Sequence, residues 1–432
     1  MTDQELQMTL PHPYVDPFRT HHNPYYIFSM EYVQTSGGFR SAHHLCHILN
    51  ELGYEAYVTA NEPALGLRAP ILTNEIWNRH RREGRHPIAV YNETTHGNPL
   101  EGDVVVRWIL NSAGHMGDYI AFGDGDLCYY WEKAYANGIS DFKLLRVPVI
   151  NRTVFNKNNA NDGERIEYCY YARKYLYYAG KDSIPKKLRE SAVSLCQDIK
   201  RTPTEIADIL RRSKILFCYE PSAIAAEATL CGCQPVFIKT SYLDEFIAED
   251  ASIFEPLISE DDIFEDDNNF NTINLKIINN VEIIEKNYHE RYEIEMFEQI
   301  KVFVKETQSA AKAFTKTTES MKKDNLFIFC ESFDHLYIYG ANNIAKNCCQ
   351  VLKIHDIHFD GFVISDDVND VSTLNKNLYG YPVLRLSDVK NRNCSCGFVI
   401  AVPMAYHSDI ISNLHAKNFN NYIIYPLTFL NS

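Results

Sequence analysis

Three times in this chain an apolar strand pattern runs into a turn of small residues and then into a helix, which commits the polypeptide to parallel β-strands joined by crossovers. Tyr25, Tyr26, Ile27 and Phe28 precede Ser36-Gly37-Gly38, and the helix that follows puts Ala42, Leu45, Cys46, Leu49 and Leu52 on one face before Gly53 stops it. Residues 215–218 lead through Ser222 and Ala223 into a helix opening at Ile224, and Leu230-Cys231-Gly232 breaks into a second apolar strand at 234–238. His335-Leu-Tyr-Ile-Tyr meets Gly340 and a third helix start. The fold class this predicts is α/β.

Further strands are expected at 54–59, 88–91, 103–109, 120–122, 127–130 and 142–147, so one α/β domain fills residues 1–150. The polar run 151–163 reads as a linker. A second unit, residues 151–323, holds a strand at 165–173, a helix capped by Thr202-Pro203-Thr204-Glu205, and helical residues from 281 to 323 that close it. A third small unit, 324–432, adds strands at 359–364, 380–384, 397–402 and 422–425 and a helix at 408–417. The acidic stretch 244–267, without Lys or Arg, reads as a surface excursion.

Composition narrows the function. The 56 acidic against 42 basic residues, a formal charge of -14, argue against a nucleic-acid binder, so phosphate binding falls to local basic groups. Residues 1–24 lack the basic and apolar regions of a secretory signal, and no apolar run reaches the roughly 20 residues needed to span a bilayer. The expectation is a cytoplasmic protein, with peripheral work at the inner face of a membrane left open. The 12 cysteines are too dilute for a disulfide framework, and the Cys231-Gly-Cys233 and Cys394-Ser-Cys396 spacings do not suit zinc. Asp124-Gly125-Asp126 has the form of a divalent-cation motif but is equally a common turn, and no metal is expected.

The candidate site residues gather where strands end. Gly37 and Gly38 let backbone approach a ligand, and Arg40 follows them. The strand at 103–109 runs on to Asn111 and then His115, which puts polar side chains at a carboxyl edge; His115 is the candidate for orienting a hydroxyl. Tyr219, Glu220, Ser222, Ala223, Ile224 and Glu227 form a strand exit and helix start with two carboxylates, and Arg173 and Lys181 supply cations nearby in sequence.

The 218–238 segment resembles the acid-pair motif of two-Rossmann-domain (GT-B) glycosyltransferases, in particular the retaining family 4 type that includes bacterial capsule and lipopolysaccharide transferases. Here the acids stand one residue closer than the family spacing, with Tyr219 in the first acid's place, so Glu227 matches and Glu220 has slipped. The resemblance implies two Rossmann-like domains. Glu227 would accept from ribose hydroxyls, amides at Ser222 to Ile224 would face the diphosphate, and Arg173 and Lys181 would meet the leaving nucleotide. Gly37, Gly38 and Tyr219 would complete the donor site, Arg40 and Asn111 would stand on the acceptor side, and His115 and Glu220 would be the catalytic pair.

The third unit, with Gly361-Phe362, Asp366-Asp367 and Gly380-Tyr381-Pro382-Val383, resembles the small Rossmann-like N-terminal domain of sugar acyltransferases of the sialic-acid and bacillosamine pathways. Asn342 stands where a dinucleotide fingerprint needs its second glycine, so docking of an enzyme partner, homo-oligomerisation or a degenerate nucleotide site is expected. Together these imply transfer of a sugar from a nucleotide-diphospho-sugar, a substrate rather than a cofactor, to a surface glycan or lipid-linked acceptor. A retaining route needs no dedicated base; an inverting one would take His115. A nucleotide-sugar epimerase and a non-catalytic nucleotide-sugar-binding scaffold are the alternatives.

Overall fold

A computed structural model describes residues 22–34, 36–111, 122–136, 138–158, 165, 167–180, 183–196, 201–220, 222–240, 257–259, 286, 289, 294–314, 324–367, 377–389 and 396–427. The first sheet is built from β1 (Tyr25–Ile27), β2 (Ala56–Val58), β3 (Ile88–Asn92), β4 (Val104–Ile109) and β5 (Leu127–Tyr130), with helices α1 (Gly37–Glu51) and α2 (Asn74–Arg82) between its strands. The second takes β6 (Glu167–Tyr171), β7 (Val193–Ser194), β8 (Ser213–Cys218), β9 (Gln234–Ile238) and β10 (Leu257–Ile258). Its helices are α3 (Arg173–Ala179), α4 (Lys186–Ser191), α5 (Pro203–Arg212) and α6 (Ile224–Leu230). Helices α7 (Glu295–Ala313) and α8 (Asn325–Cys330) lead to the third sheet, which has β11 (His335–Tyr339), β12 (Gly361–Ile364), β13 (Asn377–Leu378), β14 (Tyr381–Arg385), β15 (Cys396–Ile400) and β16 (Tyr422–Ile424). Helices α9 (Asn343–Ile354) and α10 (His407–Ala416) flank it.

The α/β class is as expected. Strand order is β2-β1-β3-β4-β5 in the first sheet, β10-β9-β8-β6-β7 in the second and β13-β14-β12-β11-β15-β16 in the third. Every neighbouring pair is parallel except β13 with β14. Residues 142–147 do not form the predicted strand. Leu144 makes one bridge to Tyr130, after which Arg146 turns its amide to Gln299 and its guanidinium to the Trp131 carbonyl, and Pro148 has no donor for a ladder. The 120–122 strand falls largely outside the described residues, as does the acidic stretch apart from 257–259, where β10 lies. Helix α5 starts on the full Thr202–Glu205 capping box read from the sequence.

The chain divides into two compact units, residues 1–147 with 299–432, and residues 148–298. The sheet expected to stand alone from residue 324 instead shares a core with the first. The connection from β3 to β4 carries no helix, so it leaves apolar side chains of Tyr26, Phe28, Tyr57 and Tyr91 without the usual crossover helix over them. Leu326 and Phe327 of α8 and Ile344, Cys348, Val351 and Leu352 of α9 fill that place, and Leu336, Ile338 and Phe362 of the third sheet continue the same core. Polar ends are tied across it: Gln350 donates to the Leu72 carbonyl at 2.9 Å and Asn74 to that of Ile354 at 2.7 Å. Asp324 caps α8 through Leu326 N and takes Asn98 N on its other oxygen. A side chain at Gly97, φ +65, would stand 2.9 Å from that carboxylate, so glycine is required. The opposite face of the first sheet packs on α7, where Tyr25 meets Phe303 and bonds Thr307 at 2.9 Å.

At the amino ends of the first sheet, Glu55 receives Arg79, Arg85 and the fully buried His80, whose Nδ1 meets the Tyr26 hydroxyl at 2.8 Å. Burial pushes the Glu55 carboxyl up, but His80 and Arg85 outweigh it and hold it at about 2; burial draws the His80 imidazole below its ordinary range. Residues 148–298 form their own core on both faces of the second sheet. Phe155, within the expected linker, is buried there beside Ala207 and Leu210.

Two outcomes follow. Leu352→Ala lowers the denaturant stability of the first unit by about 2–5 kcal/mol and loosens both its sheets in one transition. Stability falls as pH drops below the ordinary imidazole range, because the unfolded chain takes up the His80 proton first. It falls again from about pH 4.5 toward 2 as Glu55 is protonated, and urea midpoints measured across pH check both steps.

Candidate functional site

In an open parallel sheet the strand order reverses at one point, and there the carboxyl ends of two strands leave a crevice. The first sheet reverses between β1 and β3. A small cavity of about 10 Å³, room for about one water, opens there, lined by Phe28 and Ser29 after β1, Asn92 at the end of β3, Leu110 after β4, and Gly38 and Phe39 at the start of α1. Gly37 has open space where a Cβ would stand, and a Cβ at Gly38 would touch Leu110 at an ordinary 3.7 Å; neither has positive φ. The two glycines are therefore not demanded by their own backbone. What they do is keep side chains off the first two positions of a 15-residue helix that Ser36 caps through Phe39 N and whose first turn holds no acid.

Arg40, in that first turn, is 6% exposed and donates to the Gln34 carbonyl at 3.4 Å. Asn111 is half-buried just beyond Leu110, whose amide donates to the Glu93 carboxylate at 2.9 Å. Gly37, Gly38 and Arg40 of α1 thus stand at the same sheet edge as the exit of β4, where Leu110 meets Gly38 and Asn111 follows. His115 lies outside the described residues. Sequence reading passed over Glu93 and over His43 of α1, whose Nε2 donates to the Met30 carbonyl at 2.9 Å and whose imidazole burial draws below its ordinary range. The only sequence signal for Glu93 was its place in Asn92-Glu93-Thr94-Thr95 at a strand exit. Asp126, of the Asp124-Gly125-Asp126 turn, is bound to the Arg107 guanidinium at 2.7 Å, while Arg107 also donates to the Thr95 and Gly97 carbonyls.

The second sheet reverses between β6 and β8. Arg173 is exposed just past β6; Tyr219 and Glu220 follow β8 and are buried; Ser222, Ala223 and Ile224 open α6, whose first turn carries Glu227 at 5% exposure. Glu220, 1% exposed, accepts the Tyr175 amide of α3 at 2.9 Å. Ala172, at the N-cap of α3, has no side chain to do this, so Glu220 caps that helix from the neighbouring strand. Tyr219 stacks on Tyr175 with centroids 5.3 Å apart. Burial, and then the Glu220 charge, push the Tyr171 hydroxyl well above its usual range. Lys181 lies outside the described residues. Among the described residues no helix is long and apolar enough to cross a membrane, and the cysteines are unbridged.

No family model and no curated protein match the chain. Among solved structures it is similar to the spinosyn rhamnosyltransferase SpnG, with TM-score 0.33 and 10% identity over 67% of this chain and 96% of that one. It is also similar to the glycosyltransferase SnogD from Streptomyces nogalater, with TM-score 0.35 and 9% identity over 66% and 100% of the two chains. For the spinosyn forosaminyltransferase SpnP the values are 0.31, 11%, 68% and 96%.

The capping geometry sets an outcome. Glu220→Ala destabilises the second unit by about 1–3 kcal/mol in urea unfolding, since it orphans a buried amide, and Glu220→Gln, which keeps an acceptor oxygen, loses less.

Proposed function

We infer that the chain is a GT-B glycosyltransferase that moves a sugar from a nucleotide-diphospho-sugar to a surface-polysaccharide acceptor of the capsule or lipopolysaccharide kind. The reading is carried by one observation: two five-stranded parallel sheets share the same winding order, each with one reversal point where a ligand crevice is expected. In this reading the second sheet takes the donor. The amides of Ser222 to Ile224 receive the diphosphate, Glu227 accepts from the ribose hydroxyls, Tyr219 walls the pocket, and Arg173 and Lys181 offset charge on the departing nucleotide. Glu220 holds the β6 and β8 exits together while that charge develops. The first sheet takes the acceptor, with Gly37 and Gly38 at the start of α1 and Arg40 and Asn111 beside it.

The anomeric carbon loses its bond to the diphosphate oxygen and gains one to the acceptor hydroxyl. In a retaining reaction the hydroxyl proton passes to the leaving phosphate on the same face; in an inverting one His115 takes it. The family 4 likeness of the 218–238 segment favours retention.

Thermal shift against UDP-, GDP-, CMP- and ADP-linked sugars identifies the donor, because a ligand at 100 times its Kd stabilises by about 2.7 kcal/mol. Product analysis then decides the class. Sugar found on an acceptor supports transfer, an isomerised donor without acceptor indicates an epimerase, and binding without turnover indicates a scaffold. Glu227→Ala is expected to weaken donor binding roughly 10- to 100-fold by calorimetric titration. Full turnover of that variant at saturating donor would overturn its assignment.

A further inference from the structure

Asn347 stands in the middle of α9, among Ile344, Cys348, Val351 and Leu352, with no exposed surface. An amide in such a place is costly unless each of its atoms is met, and an apolar residue would fill the space as well. Its nitrogen donates to the Ser29 carbonyl at 3.0 Å, 318 residues away, and to Thr59 Oγ1 at 3.2 Å, while its oxygen accepts the Tyr425 hydroxyl at 2.9 Å. Thr59 closes the knot: its hydroxyl donates to the Ser29 carbonyl and accepts the Ser29 amide, both at 2.9 Å. Ser29 is where the chain leaves β1, and it lines the opening at the β1/β3 reversal. The path continues from it, since Ser29 Oγ and His43 both bond the Met30 carbonyl.

A second set of bonds holds the same loop. Glu31 accepts Asn61 Nδ2 at 2.9 Å, and that nitrogen also reaches the Lys346 carbonyl at 2.9 Å. Residues 346 and 347 of the third sheet's helix thereby fix both the exit of β1 and the loop that leads to Gly37 and Gly38.

We propose that Asn347 is a positioning residue for the crevice of the first sheet, so that the C-terminal sheet shapes the site rather than serving only as an appended docking module. That the crevice takes the acceptor rests on the reading given above; the positioning itself does not. The test uses the full chain, with Asn347→Leu, which keeps the branching and the heavy-atom count but not the polar atoms, and Tyr425→Phe, which removes only the hydroxyl that fixes the amide's orientation. Hydrogen exchange at amides 28–41 is expected to quicken at least 10-fold in Asn347→Leu and by a smaller factor in Tyr425→Phe, with β11 and β15 amides changing less than 2-fold. With donor and acceptor in hand, the acceptor KM rises at least 5-fold while the donor Kd stays within 2-fold. Uniform quickening across both sheets, or none at 28–41, overturns positioning, and in a chain that shows no transfer at all the exchange result still decides it. If Asn347→Leu does not fold, Tyr425→Phe carries the same two outcomes.

Discussion

An uncovered sheet face is the constraint from which the rest of the first unit follows. Strands β3 and β4 are parallel neighbours joined without a helix, so the aromatic side chains of Tyr26, Phe28, Tyr57 and Tyr91 need another element over them. Each large apolar side chain removed from water contributes about 1.5–3 kcal/mol, and α8 and α9, from the far end of the chain, supply much of the partner surface. Their arrival brings the third sheet with them, and it brings Asp324 to Asn98, Gln350 to Leu72, and the Pro426 carbonyl to His96 N. The polar contacts set where the helices lie; the apolar area is why they are there.

Local signals were legible wherever the cause was local. The capping box at Thr202 and Glu205, the glycine start of α1 and the apolar runs of β11 and β15 all rest on neighbours within a few residues, and each predicts its element. The segment 142–147 was misread because its apolar residues are those of a strand, whereas Arg146 and Pro148 direct its backbone elsewhere. Neither the capping role of Glu220 nor the buried bonds of Asn347 could be read, since their partners, the Tyr175 amide and the Ser29 carbonyl, are backbone atoms far away in sequence. The shared core of the first and third sheets was hidden for a related reason: nothing in residues 88–104 announces a missing helix until the strands are paired.

The two reversal points differ in how their helix starts are treated. At the second sheet the chain spends its own carboxylate, Glu220, on α3. At the first, α1 begins on two glycines with a buried arginine and no acid in its opening turn. Elsewhere the buried charges are matched internally, Arg107 with Asp126 and Glu55 with His80 and Arg85, so the fold's own electrostatics are largely settled away from the crevices. A charged ligand at either edge would meet oriented dipoles rather than disturb an ion-pair network.

The discontinuity of the first unit has a consequence in time. Its opening 147 residues leave the ribosome with a sheet whose faces wait for α7, α8 and α9, the last ending at Ile354, about 207 residues later, which at typical synthesis rates is roughly 10–40 s. Residues 148–298 have no such wait, since their core is contiguous in sequence. The nascent chain therefore completes its middle before its beginning, and its first-made strands are the ones most in need of shelter during synthesis.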